Sequence, residues 1–566
     1  MFLYRETMHL SVKKKAKFRL DQRNAKKFNF KDIPEDKSNL ILQSDVAQLR
    51  QLQIDGRVTS YEIVTVFAKR CHRIGRKLNL VTEEYYDEAL LTAQDKDRER
   101  ELAVRNGRAN ELGLLHGIPV SIKDHVNEQG RHVTVGVMSF CDNIAKSDAV
   151  VVQQWKDQGA IPMVKGNVPQ LVFALQTEND IYGRALNPHD ATRSCGGSSG
   201  GDAGLVASRC VPLALGTDIG GSIRGPACFN GVYGFKPTAN RVSYKGCIIP
   251  LEDGTGPQGP ILPVAGPLGY TSNDLLIATK SLMNQTMFDR DLDTAPLPFN
   301  EQRYQQTLNK RKLRFGYFEE TDFMGASDAT REKLEALGHE VVPFNFHHNE
   351  AFEYIEIFVA SCSIGVLGQF CDMMESKHDK FITIYQESFL FYTLPRFLQK
   401  IVVAIFSTCI SKRKSATMGQ VRKYSSDDID NILRRRARFV ENFMQRWDDM
   451  KLDGLISPAF PSCAFKHADA NELAFLVPFL ALQNVLNFPS GIVPITEVQN
   501  GEDVDTAIYD KANDLITRHI KNSMRDSFGM PIGVQISTPK WKDEECLAIM
   551  KIVGDQFKFM KKTPEL

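Results

Sequence analysis

Residues 196–237 read GGSSGGDAGLVASRCVPLALGTDIGGSIRGPACFNGVYGFKP. The stretch alternates a glycine-rich loop, a run of small residues, an apolar strand, a second glycine-rich loop and another strand. On its own "GGSSGG" could be a flexible linker. Its context excludes that, because "DAGLVAS" continues as a small-residue helix and "VPLALGTD" follows as a buried strand. A loop that opens a helix and ends against a buried strand is a fixed structural element. Two such loops in succession suggest an α/β layer architecture.

The pattern continues on both sides. "GIPVSIKD", "AIPMVKG", "GVYGFKP", "DGLISPA", "GIVPITEV" and "MPIGVQIS" are short β-rich runs. Helical segments lie between them. "RVTSYEIVTVFAKRCHRIG" opens with a Thr59–Glu62 capping box and places Ile63, Phe67 and Cys71 on one face. "SDAVVVQQWKDQGA" reads as a helix with Ser147 as N-cap and Gly159 at its end. Residues 427–447 form a longer helix, with Ile429, Leu433, Arg436, Val440, Phe443 and Trp447 along a stripe. The expected fold is one large α/β domain over 41–560: a twisted mixed sheet covered by helices on both faces, preceded by a basic tail over 1–40.

Composition excludes several functions. With a net charge of +1 over 566 residues, the chain has no global field to draw in nucleic acid. Its eleven cysteines include no CxxC pair and no His/Cys cluster at zinc spacing, so reduced thiols, no metal and no cofactor are expected. No apolar run reaches the roughly 18 residues of a spanning helix, and there is no signal-peptide core. Residues 1–28 carry nine Lys/Arg against two acidic residues, which suits a solvated tail or a contact with a lipid surface.

Chemistry can be placed on three of these elements. In "GIPVSIKD" as a strand, Ile118, Val120 and Ile122 face one way and Ser121 and Lys123 the other. Such a lysine either reaches water or, if desolvated, becomes a base near neutral pH. In "TDIGGSIR" the amides of Ile219, Gly220, Gly221 and Ser222 are unshielded and can converge on one oxygen, as an oxyanion hole requires. A phosphate cradle competes with that reading, but no GxxxxGK[ST] accompanies the loop. "GGSSGG" also fits a G-x-S-x-G elbow at Ser198 and at Ser199. The downstream His339, His378, His467 and His519 lie in no supporting motif.

Together "GIPVSIKD", "GGSSGGDAG" and "GTDIGGSIRGPA" resemble the amidase signature family. The intervals, 75 residues from Lys123 to Ser198 and 24 from Ser198 to Ser222, agree with that family's Lys–Ser–Ser set. Within it the chain is most similar to the fatty-acid amide hydrolase branch. Further matching stretches are "NVPQLVF", "LDGLISPAF", "LNFPSGIVPITEV" and "FGMPIGVQISTPKWKDEECLAIM". The resemblance implies Ser222 as nucleophile, Ser198 as proton relay on a cis peptide, and neutral Lys123 as base. It also implies Ile219, Gly220 and Gly221 at the oxyanion, Val172 and Phe173 along the acyl channel, and Thr217, Asp218 and Arg224 as loop braces. As a bare structural feature, Asp218–Arg224 is simply an ion pair.

The substrate is a separate question. "SFLFYTLPRFLQKIVVAIFSTCISKRK", 388–414, is aromatic-rich and broken at Pro395, and between 388 and 426 there are seven Lys/Arg and no acidic residue. A buried helical hairpin is one reading. A hairpin lying in the lipid interface is the other, and it suits the basic flanks. In the branch named above this region (385–420 here) is a membrane-binding cap through which lipid enters. The expectations that follow are a lipid amide substrate, monotopic membrane attachment on the cytosolic side (the endoplasmic reticulum being one such membrane), and a homodimer as in many family members. An amidase for short-acyl or other small amides is the alternative of the same chemistry, and a catalytically silent scaffold the alternative of another class.

Overall fold

The computed structural model describes residues 2–248, 259–318, 320–321, 324–325, 328–346, 350–409, 411–474, 476–504 and 514–561. Its strands, in chain order, are β1 (Val81–Glu84), β2 (Pro119–Lys123), β3 (Ile161–Gly166), β4 (Leu213–Asp218), β5 (Tyr233–Lys236), β6 (Val264–Gly269) and β7 (Arg314–Tyr317). They continue as β8 (Glu320–Thr321), β9 (Met324–Gly325), β10 (Glu340–Pro343), β11 (Gly454–Pro458), β12 (Ser490–Glu497) and β13 (Pro531–Ser537). β8 and β9 form a separate ribbon. The other strands make one 11-stranded sheet in the order β1-β3-β2-β4-β6-β5-β12-β13-β11-β7-β10.

The sheet is mixed. β3, β2 and β4 are mutually parallel at one end, and β11, β7 and β10 at the other. The antiparallel strands β6, β5, β12 and β13 join these two parallel blocks. Every residue of β2 and β4 is buried, as expected for strands with helices on both faces. The expected α/β fold with a twisted mixed sheet is the one observed.

Packing explains the small-residue helix. Gly200–Ala207 is buried throughout, and a Cβ at Gly201 would sit 2.1 Å from the backbone nitrogen of Asn167 and 2.5 Å from the Leu80 carbonyl oxygen. The helix therefore lies directly on the backbone of its neighbours.

Three local expectations need correction. The basic segment is not an extended tail: Phe2–Ala25 is a helix. Val12, Ala16 and Leu20 pack it onto Met138, Cys141, Ile181 and Tyr182, while Arg19 pairs with Glu83 at 3.4 Å and the Arg23 guanidinium donates to the Val81 carbonyl at 2.7 Å. Its spacing of four between apolar residues gives it a docking face despite the lysines between them. The helix Val150–Asp157 has Ala149, not Ser147, at its N-cap, with no side-chain cap. In the helix Ser426–Asp449 the buried stripe is Ile432, Phe439, Phe443 and Trp447, with Leu433 exposed. The first turns are thus rotated by about one position relative to the pattern read from sequence.

Residues 383–419 form three helices, Thr383–Thr393, Arg396–Cys409 and Lys412–Gly419. Phe397, Ile401 and Ile405 fall on the outward face of the second at 64%, 53% and 51% exposure, and Leu390 of the first is exposed at 67%. Val402, Val403 and Phe406 pack inward. Three of the basic flanks are held in intramolecular pairs: Arg413 with Asp514, Lys414 with Glu387 and Glu472, and Arg422 with Asp428. One helical run, Glu350–Ser376, has the length and composition to cross a bilayer, but 67% of its most apolar window is buried in the body, which agrees with the expectation of no spanning helix.

Candidate active site

The parallel strands β2 and β4 are neighbours, with Ile122 opposite Leu215. Their carboxyl ends therefore bring Lys123 beside Thr217 and Asp218, the edge of an open α/β sheet where ligands are commonly bound. The alternation read in β2 is observed. Ser121 and Lys123 share a face, where Ser121 Oγ donates to Asp202 Oδ1 at 2.7 Å and Lys123 Nζ donates to Ser198 Oγ at 2.7 Å. Lys123 Nζ also lies 3.0 Å from Thr217 Oγ1.

Lys123 is wholly buried. Desolvation brings its pKa down to about 7, against the opposing pull of the Asp202 and Asp218 carboxylates. Burial likewise pushes the Asp202 carboxyl up, with the Ser121 hydrogen bond and Lys123 opposing it.

The two glycine-rich loops meet over this lysine. The Gly197–Ser198 peptide is cis, and the Ser199 N–H donates to the Ser222 carbonyl at 3.1 Å, lacing one loop to the other. Gly221 has φ +110, and a Cβ there would lie 2.4 Å from Leu480 Cδ1, so only glycine fits the turn.

Asp218 organises the rest of the loop. Its carboxylate accepts from the Gly221 amide at 2.8 Å and the Ile223 amide at 3.1 Å. Arg224 grips it through Nε and Nη2 at 3.1 and 2.9 Å. Burial alone would raise the Asp218 pKa, but the Arg224 guanidinium holds it well below the usual carboxylate range. This corrects one expectation: the Gly221 N–H is engaged by Asp218, and Gly221 contributes its φ rather than a donor. The amides of Ile219, Gly220 and Ser222 carry no such bond among the described residues.

Arg224 in turn donates to the Leu480 carbonyl at 2.8 Å, Gln535 Oε1 at 2.7 Å and Asn484 Oδ1 at 2.6 Å. The brace therefore reaches the helix Pro478–Val485 and β13.

Two cavities meet at Ser222. The larger, about 100 Å³, is walled by Val172, Phe173, Leu175, Phe358, Leu367, Phe389 and Met418 and is almost entirely apolar. The smaller, about 30 Å³, adds the polar groups His125, Ser198, Thr217 and Tyr244. Ile219, Val172 and Phe173 line both. Leu171 and Val172 hold φ of +62 and +58, a conformation uncommon for any residue but glycine and rarest for a β-branched one such as Val172.

The amidase family model matches residues 62–547. The chain belongs to the amidase signature family. It is 30% identical over 536 residues to "Fatty-acid amide hydrolase 1" of Sus scrofa, covering 92% of this chain and 87% of that one. To "Acetamidase" of Aspergillus oryzae it is 26% identical, covering 92% of each. Among solved structures it matches "Fatty acid amide hydrolase" with a TM-score of 0.81 at 20% identity, over 99% of this chain and 97% of that one, a likeness of fold. As an amidase signature enzyme the chain is an amide hydrolase.

Lys123, Ser198, Ser222, Thr217, Asp218, Arg224, Ile219, Gly220, Gly221, Val172 and Phe173, all named from sequence, gather at this one place. Sequence reasoning missed His125, Tyr244, Asp202, Asn484 and Gln535. Gln535 had a visible signal, as a polar residue in the apolar run "PIGVQIS". The others lie in segments whose patterns are explained without them.

Proposed function

We propose that the chain hydrolyses lipid amides through Ser222, Ser198 and Lys123. The observation that carries this reading is the buried Lys123–Ser198 contact of 2.7 Å placed beside Ser222, at the junction of an apolar cavity. Ser222 Oγ attacks the amide carbonyl carbon. Its proton passes to Ser198 Oγ while the Ser198 proton passes to the free-base Lys123. The amides of Ile219, Gly220 and Ser222 are the available donors for the oxyanion. As the C–N bond breaks, Lys123 returns its proton through Ser198 to the nitrogen, and the neutral amine departs. Water then attacks the acyl ester, losing a proton along the same chain, and the carboxylic acid leaves as Ser222 recovers its proton.

The apolar cavity is suited to the acyl half. Phe389 on its wall is followed in sequence by the exposed Leu390, and the next helix presents Phe397, Ile401 and Ile405 outward. In this reading that face lies in a lipid interface and substrate enters past Phe389. Three of the seven basic residues between 388 and 426, Arg413, Lys414 and Arg422, are engaged within the chain, so in this reading the outward apolar side chains carry much of the attachment.

The test is hydrolysis of primary amides with acyl chains from about 2 to 20 carbons, with wild type and Ser222→Ala, in detergent and on liposomes. Burying each CH₂ contributes roughly 0.8 kcal/mol, about fourfold in kcat/KM per methylene until the cavity is filled. A Ser222-dependent rate rising in this way supports the lipid amidase. Activity confined to short chains would place the enzyme with the acetamidases it also resembles.

A further inference from the structure

A proton taken up by Lys123 creates a positive charge in a place closed to water. Lys123 Nζ directs its hydrogen bonds at Ser198 and Thr217, both uncharged, and burial works against its ammonium form. A buried charge of this kind is tolerated only with a negative charge close by. Three buried carboxylates lie around this end of β2. Asp218 is already matched, by the Arg224 guanidinium. Asp124 accepts from the Thr134 and Val135 amides and the Thr134 hydroxyl. Burial raises the Asp124 carboxyl, and the Lys165 ammonium is the largest influence opposing it.

Asp202 is the carboxylate left over. Ser121 Oγ donates to its Oδ1 at 2.7 Å, and its Oδ2 has no hydrogen-bonding partner among the described residues. An unpartnered oxygen on a wholly buried carboxyl is uncommon in a finished fold. Packing fixes its place: Oδ1 rests on the backbone of β3, where a Cβ at Gly166 would lie 2.3 Å from it. Ser121 and Lys123 are two residues apart on one face of β2, roughly 6.5 Å along the strand. The hydroxyl that holds the carboxylate therefore sets it beside Lys123 without a direct bond. Among the charges that oppose the desolvation of Lys123, Asp202 comes first.

The other titratable groups around the pair are neutral or engaged elsewhere. Burial, reinforced by Lys123 and Lys165, keeps His125 neutral. Burial pushes the Cys195 and Cys247 thiols up to about 12 and keeps the Tyr244 phenol protonated. Lys165 Nζ donates to the Val126 and His132 carbonyls at 2.9 and 3.0 Å.

We propose that Asp202 is the counter-charge of Lys123, a positioning residue that acts through the lysine and stabilises its ammonium form when the proton arrives from Ser198. The inference rests on the reading of Lys123 as the base. The proton moves from Ser198 Oγ to Lys123 Nζ, and no bond to Asp202 forms or breaks. The new ammonium in turn favours the carboxylate over the acid.

The test is the pH dependence of kcat/KM in the full chain, on the primary amide that wild type cleaves fastest. Four proteins are compared: wild type, Asp202→Asn, Lys123→Ala and the double variant. Asparagine keeps the shape of the side chain and an acceptor for Ser121, and removes the charge. Without the carboxylate the lysine is a weaker base, so the rise near pH 7 should move to lower pH by roughly one unit. The plateau should fall about three- to tenfold. In the double variant the two losses should not add, because Asp202 acts only through Lys123. Where Asp202→Asn does not fold, Ser121→Ala is the substitute. It strips the carboxylate of its donor, which disfavours the charged form, and should move the midpoint the same way by less. A midpoint that stays in place or moves upward in the folded variant would overturn the proposal and leave Asp202 a packing residue, as would losses that add. The reading beneath it fails differently: wild type without a rise near pH 7, or Lys123→Ala that keeps one, would reject Lys123 as the base and the counter-charge with it.

Discussion

In the proposed mechanism the burial of a single side chain, Lys123, sets the chemistry. Its ordinary pKa is 10.5 and burial brings it to about 7. In the proposed mechanism the free amine is the active form, so kcat/KM should be low below pH 7, rise with pH through about 7 and then level off. Lys123→Ala should lose most turnover at pH 7 and recover part of it at high pH, where hydroxide replaces the base. A profile that keeps the same rise near 7 in that variant would reject the assignment. At this scale the sequence was informative where a residue type is odd for its setting, such as a lysine ending an apolar strand or a serine between glycines. It was silent on His125 and Asn484, whose importance comes from Thr217 and Asp218 brought to them by other parts of the chain.

At the scale of elements, the β-rich runs quoted from the sequence all became strands, because strands buried on both faces announce themselves as continuous apolar stretches. β1, with its glutamates, and β6, reading VAGPLG, were not legible, since neither has that pattern. The Thr59–Glu62 capping box was legible and is formed, because both partners lie within one turn. The helix Arg396–Cys409 supports a prediction of its own. Replacing Phe397, Ile401 and Ile405 by serine removes three apolar side chains from its outward face without touching its inward one. In flotation with liposomes the triple variant should stay with the soluble fraction while wild type floats, and turnover of a water-soluble short-chain amide should persist. Full retention on liposomes would reject the interfacial reading of this helix.

Across the whole molecule, strand order departs from chain order most sharply in the middle of the sheet. β13, nearly the last element of the chain, lies between β12 and β11 and completes the bridge between the two parallel blocks. Ending the chain before Pro531 would remove that strand and the Gln535 carboxamide that meets Arg224. Such a truncation should yield insoluble protein or, if soluble, protein with no cooperative thermal transition by circular dichroism and no Ser222-dependent turnover. A soluble, active truncation would show that the N-terminal portion is self-sufficient. Local pattern does not encode this arrangement, which depends on which strands find each other over hundreds of residues.

The brace on Arg224 has a consequence in time. On the ribosome, the loop carrying Ser222 emerges well before the helix Pro478–Val485 and β13 that hold its arginine. The proposed nucleophile is therefore made early and set in place late. A nascent chain would then remain unable to hydrolyse amides until synthesis is nearly complete, so the appearance of activity would mark the end of folding rather than the arrival of Lys123, Ser198 and Ser222.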